Sequence, residues 1–182
     1  MSAFTGTGAL IRLIVRRDRF SLPLWIGIVA LLAASVASSF IGLYQTDAEI
    51  QAVIAETAGS PATVALLGAV YAPNVGALVA WRWSMQGVIV LGLFNLFTII
   101  RHTRADEQAG RRELVGATVV GRQAPLTAAL IVTLVADLLL ALLVTGLLTA
   151  LGLPAAGSLA LGLSVAGASW VMAAVTGIAA QL

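Results

Sequence analysis

The chain is 182 residues long, 60% of them apolar and only 10% charged, with a formal net charge of +2 and a mean hydropathy of +1.02. A water-soluble domain of this size carries roughly a quarter of its residues as charged side chains, so that class is excluded and the surface must face lipid. There are no cysteines, which removes disulfide frameworks, thiolate metal sites and cysteine nucleophiles.

In chain order, the stretch GALIRLIVRRDRF puts Arg12, Arg16 and Arg19 at i, i+4 and i+7 on one helical face, with Leu10, Ile11, Ile14 and Val15 opposite. This predicts an amphipathic interfacial helix over residues 7–20, its apolar side on the inner leaflet. Residues 22–43 hold no charge and are long enough for roughly 33 Å of helix, a first span. The run is too long for a signal-peptide core and stands behind an extended arginine-rich stretch.

Residues 44–82 carry no basic side chain before Arg82 and three carboxylates, Asp47, Glu49 and Glu56. Thr46 with Glu49 three residues on reads as a capping box. The rest of that segment is apolar but broken by Pro61, Pro73 and several glycines, which predicts helices lying at the outer interface. A second span covers 83–100, containing Gln86 and Asn95, with Trp81 and Trp83 as interface anchors at one edge. A third covers 125–151, with Pro125 in its first turn and Asp137 as its only charged residue. A fourth covers 158–182 after the breaker-rich LGLPAAG, so that the third and fourth are expected to be antiparallel neighbours. Ser158, Gly162, Ala166, Ala173 and Gly177 make a flat stripe suited to close helix packing. The fold class is therefore all-α integral membrane, a single transmembrane domain over 1–182.

All ten basic residues are arginine, and nine of them lie either before the first span or between the second and third. Basic residues near span ends stay on the cytoplasmic side, so the N-terminus and the loop over 101–124 are expected there, in a multi-pass protein of the cell membrane.

No catalytic constellation is present: there is no HExxH, no GxSxG, no GxxxxGK and no pair of carboxylates within the spans. Catalytic and metal-ligating residues are expected to be none, and nothing suggests nucleic acid. The one histidine, His102, is expected to be a solvated residue at a helix end. Asp137 is an ionisable residue near the bilayer centre, either a group on a transport pathway or, in the favoured reading, a hydrogen-bonded tie between helices with Asn95 or Gln86 as partner. The loop RHTRADEQAGRRELVGATVVGRQAP concentrates charges of both signs. Residues 105–116 suit a short helix, with Asp106 and Glu107 in its first turn, Arg111 and Arg112 later, and Glu107 four residues before Arg111. Such a helix either presents Glu107, Arg111 and Glu113 to a protein partner or forms a self-contained solvated loop.

Three stretches, GTGALIRLIVRRDRFSLPLW, SPATVALLGAVYAPNVGALVAWR and RHTRADEQAGRRELVGATVVGRQAPL, resemble the permease subunit of actinobacterial type-two ATP-binding-cassette exporters, the tetronasin or polyketide-antibiotic exporter family. The resemblance implies that the arginine segment with Arg12, Arg16 and Arg19 is an elbow helix on membrane lipid. It further implies that the charged loop holds a coupling helix, with Arg104, Asp106, Glu107, Gly110, Arg111, Glu113 and Leu114 at or beside the contact with a separate ATPase subunit. On that likeness ATP and magnesium are bound by the partner and this chain holds no cofactor. The resemblance also implies a hydrophobic or amphiphilic cargo, such as a polyketide antibiotic or drug, moved outward. The family has a duplicated architecture of about twelve helices, which implies a second permease half or remaining helices as further partners. The competing reading is an autonomous four-helix membrane protein, either a proton-coupled multidrug exporter that would need Asp137 or a scaffold without transport. A membrane enzyme ranks third for want of candidate residues.

Overall fold

The structure, a computed structural model, describes residues 3–108 and 121–179, with side chains as far as 103 in the first stretch. Its helices are α1 (Thr7–Arg17), α2 (Ser21–Leu43), α3 (Asp47–Ala58), α4 (Pro61–Leu67), α5 (Val75–Gln108), α6 (Ala124–Ala150) and α7 (Ala155–Ala179). Among the described residues all regular structure is helical, and α2, α5 as far as Thr103, α6 and α7 are each long and apolar enough to cross a membrane. The chain is an all-α, multi-pass integral membrane protein.

Lipid tails are as apolar as leucine, so the helices gain little from hiding leucine from lipid; they associate where small residues let backbones approach and where polar groups find partners. The helix α6 is the hub, packing against α1, α2, α5 and α7. Its closest partner is α7, whose buried face contains Ser158, Gly162, Ala166, Ala173 and Gly177. At Gly162 a Cβ would stand 2.7 Å from the Ala141 carbonyl oxygen, so contact there is backbone to backbone. Large side chains such as Leu139, Leu142, Val171 and Ile178 point outward.

The amphipathic helix forms where its periodicity puts it, but its apolar face is used differently from the expectation. Leu10, Ile11 and Ile14 pack against Ala128, Ala129 and Val132 of α6 and against Leu22, so the protein covers the centre of that face. The alanines of α6 allow the approach. Val15 sits on an exposed shoulder, Arg12 and Arg16 are exposed, and Arg19 lies past the end of α1 with its guanidinium 4.7 Å from the Phe20 ring centre.

Beyond α2 the capping box is complete: the Glu49 amide donates to the Thr46 hydroxyl at 3.3 Å, and Glu49 Oε2 accepts from the Thr46 amide at 3.0 Å and the Gln45 amide at 2.8 Å. Those backbone donors, Thr46 first and then Gln45, hold the Glu49 carboxyl below its ordinary range. The chain bends by 96° between α3 and α4, where Ser60 caps and Pro61 opens the second helix. Trp81 Nε1 donates to the Gly68 carbonyl at 2.8 Å and ties this region to α5.

Three expectations need correction here. The second span begins at Val75 instead of 83, because Asn74 Oδ1 accepts from the Ala77 amide at 2.8 Å and caps a helix that starts two residues after Pro73. Trp83 is buried in the core, not at the interface: its Nε1 would be 3.0 Å from a Cβ at Gly87, and that missing side chain makes room for the indole. At the other end α5 runs on through Gln108, since nothing from Arg101 to Gln108 breaks a helix. The start of the helix expected at 105–116 is thus continuous with the second span, and its remainder lies outside the described residues.

Candidate functional site

Among the described residues, two clusters of buried polar side chains join helices distant in sequence. The first is at mid-span. Asn95 of α5 lies nine residues after Gln86, about half a turn round the helix, so only one of the two can face the bundle. It is Asn95, which is fully buried, while Gln86 is exposed. Asn95 Nδ2 donates to Asp137 Oδ2 at 2.8 Å and to the Ser169 carbonyl oxygen at 3.2 Å, so one amide group joins α5, α6 and α7. Both acceptors fix the amide orientation, since a carboxylate oxygen and a carbonyl oxygen each need a donor. Asn95 Oδ1 is buried and has no hydrogen-bond partner. Beside the cluster a crevice between α2, α5 and α6 is lined by Trp25, Val29, Leu91, Phe94, Asp137 and Leu140.

The second cluster lies where α2 and α6 begin and α5 nears its end. Asp18 closes α1, and its own amide donates to the Ile14 carbonyl at 2.8 Å. Its side chain turns inward, 4% exposed, onto α5: Oδ2 is 2.5 Å from His102 Nε2, and Oδ1 is 3.2 Å from an Arg101 guanidinium nitrogen. The contact with His102 requires the proton to be on Nε2. His102 is 6% exposed, so the expectation of a solvated histidine is overturned; a carboxylate 84 positions earlier in the chain takes it in. Arg101 is half exposed, 47% by side chain, and reaches from the cluster to solvent.

The N-terminal residues meet the other stem of the same loop. The Gly121 amide donates to the Thr5 carbonyl at 2.8 Å and the Gln123 amide to the Ala3 carbonyl at 3.1 Å. A Cβ at Gly121 would come within 2.1 Å of the Ala3 oxygen, so glycine is required for the approach.

Of the residues expected at a partner contact, Arg104, Asp106 and Glu107 lie in the last turns of α5, their side chains undescribed. Gly110, Arg111, Glu113 and Leu114 lie outside the described residues. Arg12 and Arg16 are exposed on α1, and Asn95 and Asp137 meet at mid-span. The reading of the residues missed Asp18 and Arg101. The available signal was Asp18 itself, the one acidic residue in a stretch with four arginines, placed where α1 must stop for α2 to begin. Among the described residues no group of His, Asp and Glu could hold a metal ion.

Four spans packed through small residues, with buried polar ties between them, make up a multi-pass membrane protein. Comparison with known proteins agrees. The chain is 42% identical, over 187 aligned positions that take in all of it, to a multidrug efflux system permease protein of Mycobacterium tuberculosis. It is a homologue of that transport permease and spans 33% of its length. No protein-family model matches the chain.

Proposed function

We propose that this chain is membrane-spanning permease machinery of an ATP-driven exporter of hydrophobic or amphiphilic compounds, working with a separate ATPase subunit and having no enzymatic activity of its own. The observation that carries the reading is 42% identity, over an alignment that takes in the whole chain, to a relative described as a multidrug efflux permease. In this reading the N-terminus and the loop over 101–124 face the cytoplasm, where nine of ten arginines are retained. The loop meets the ATPase through Arg104, Asp106, Glu107, Gly110, Arg111, Glu113 and Leu114, with charge deciding partner choice more than affinity. ATP and magnesium belong to that partner, and the cargo includes drugs or polyketide antibiotics. A second permease half or further helices complete the path.

The test is purification from the native host in mild detergent. An ATPase subunit is expected to co-purify with the wild-type chain and to be lost with Arg111→Glu; absence of any ATPase in both samples would overturn the reading. Sidedness is read separately in the cysteine-free chain. A lone cysteine at Gln51 is expected to react with an impermeant maleimide in intact cells, and one at Gly110 only after permeabilisation.

A further inference from the structure

We propose that residues 3–18 are a clamp that positions the charged loop, gripping it at both stems, with Asp18 as the positioning residue. At the loop's entrance, Asp18 holds Arg101 and His102 on the last turns of α5. At its exit, the carbonyls of Ala3 and Thr5 hold the amides of Gln123 and Gly121, immediately before α6. Between the two grips runs α1, itself docked by Leu10, Ile11 and Ile14 on the first turns of α6. Displacement of either stem therefore reaches α1, and through α1 the hub helix. Nothing in this depends on the loop's own conformation.

The chemistry of the two grips makes the arrangement specific. Asp18 is the only carboxylate among the N-terminal arginines, yet it faces away from solvent into a site with a histidine and an arginine from the far side of the sequence. Removing it leaves a buried imidazole without its acceptor. At the exit, a Cβ at Gly121 would stand 2.1 Å from the Ala3 oxygen, which excludes every other residue while the N-terminal segment is in place. A segment that merely trailed over the surface would need neither a buried carboxylate nor a glycine-only contact. Assigning an ATPase as the source of the push rests on the preceding proposal; the clamp itself does not.

The test uses the full chain in lipid vesicles with trypsin as probe, since the loop offers arginines at 104, 111, 112 and 122. Cleavage of a locally opened segment follows the population of the open form. Asp18→Ala and Gly121→Ala are each expected to raise the loop cleavage rate about five-fold or more without changing total helix content, whereas Asp18→Glu stays within about two-fold of wild type. Unchanged cleavage in both damaging variants overturns the proposal. Should either variant lose helix, the decision passes to a chain that keeps both grips. There Ala3→Cys with Gln123→Cys is expected to form a disulfide on mild oxidation, and failure of that pair to cross-link also overturns the clamp. An ATPase that never co-purifies would end the reading of the preceding subsection and leave these results standing.

Discussion

At mid-span a carboxyl group meets an amide; at the loop end a carboxyl group meets an imidazole and a guanidinium. Both clusters join elements distant in sequence, and both are nearly closed to solvent, yet their surroundings ask different things of them. The Asn95–Asp137–Ser169 cluster is buried, and there a single amide staples three helices. Transmembrane hydrogen bonds of this sort are modest in net strength, since an unfolded span also finds partners. The Asp18 cluster has one foot in solvent through Arg101, and its strength is ionic. The mid-span cluster joins three helices, and the loop-end cluster joins the end of α1 to α5.

The largest effect that would break this contrast is expected at Asp18. Asp18→Ala should destabilise the chain by about 3 kcal/mol in micelle unfolding experiments, because it strands a buried histidine and removes the anion facing Arg101. Next comes Asn95→Leu, expected to cost about 2 kcal/mol by leaving the Asp137 carboxyl with no amide donor in an apolar setting. Adding Asp137→Leu to it should recover part of that loss, about 1 kcal/mol of coupling in a double-mutant cycle. A fully additive cycle would deny that the two side chains act as one tie.

Arg101→Gln should be milder, below about 1 kcal/mol, and its effect should fade as salt rises toward about 1 M, because the Arg101 side chain is half exposed. The mid-span cycle should not respond to salt at all. The smallest effect lies at the opposite end of the bundle, in the cap of α3. Glu49 has a folded-state pKa below its usual value of 4.5, so its contribution is present above the unfolded value and is lost as pH falls through the lower, folded one. Amide exchange in α3 should accordingly quicken in that acidic window, and Glu49→Gln should remove the pH dependence.

Much of the fold was legible because it follows from local pattern. The spans at 22–43 and 125–151 come within a residue of α2 and α6, and Thr46 with Glu49 announces its helix start directly. The small-residue stripe on α7 named its buried face, since in lipid only small residues mark where helices touch. The start of α5 was not legible: Pro73 and the nearby glycines look like continuing breakage, and the decisive signal is one Asn74 side-chain cap. Trp83 misled for a similar reason. A tryptophan at a span edge is ordinarily an interface anchor; Gly87, four residues on along the same helix face, leaves room for the indole, but only the packing of α7 over that face shows that it is buried.

The sites divide along the same line. Composition and periodicity by themselves determined that the chain lives in lipid, that its helices are amphipathic or apolar where they are, and that an aspartate at mid-depth needs a polar partner. Which partner, Asn95 or Gln86, was decided by the rotation of α5 against α6 and α7, a property of three helices together. The pairing of Asp18 with His102 and Arg101 was decided by tertiary structure alone. No spacing rule links positions 84 residues apart; the carboxylate becomes a clamp only because α1 docks on α6 and turns the residue that caps it toward α5.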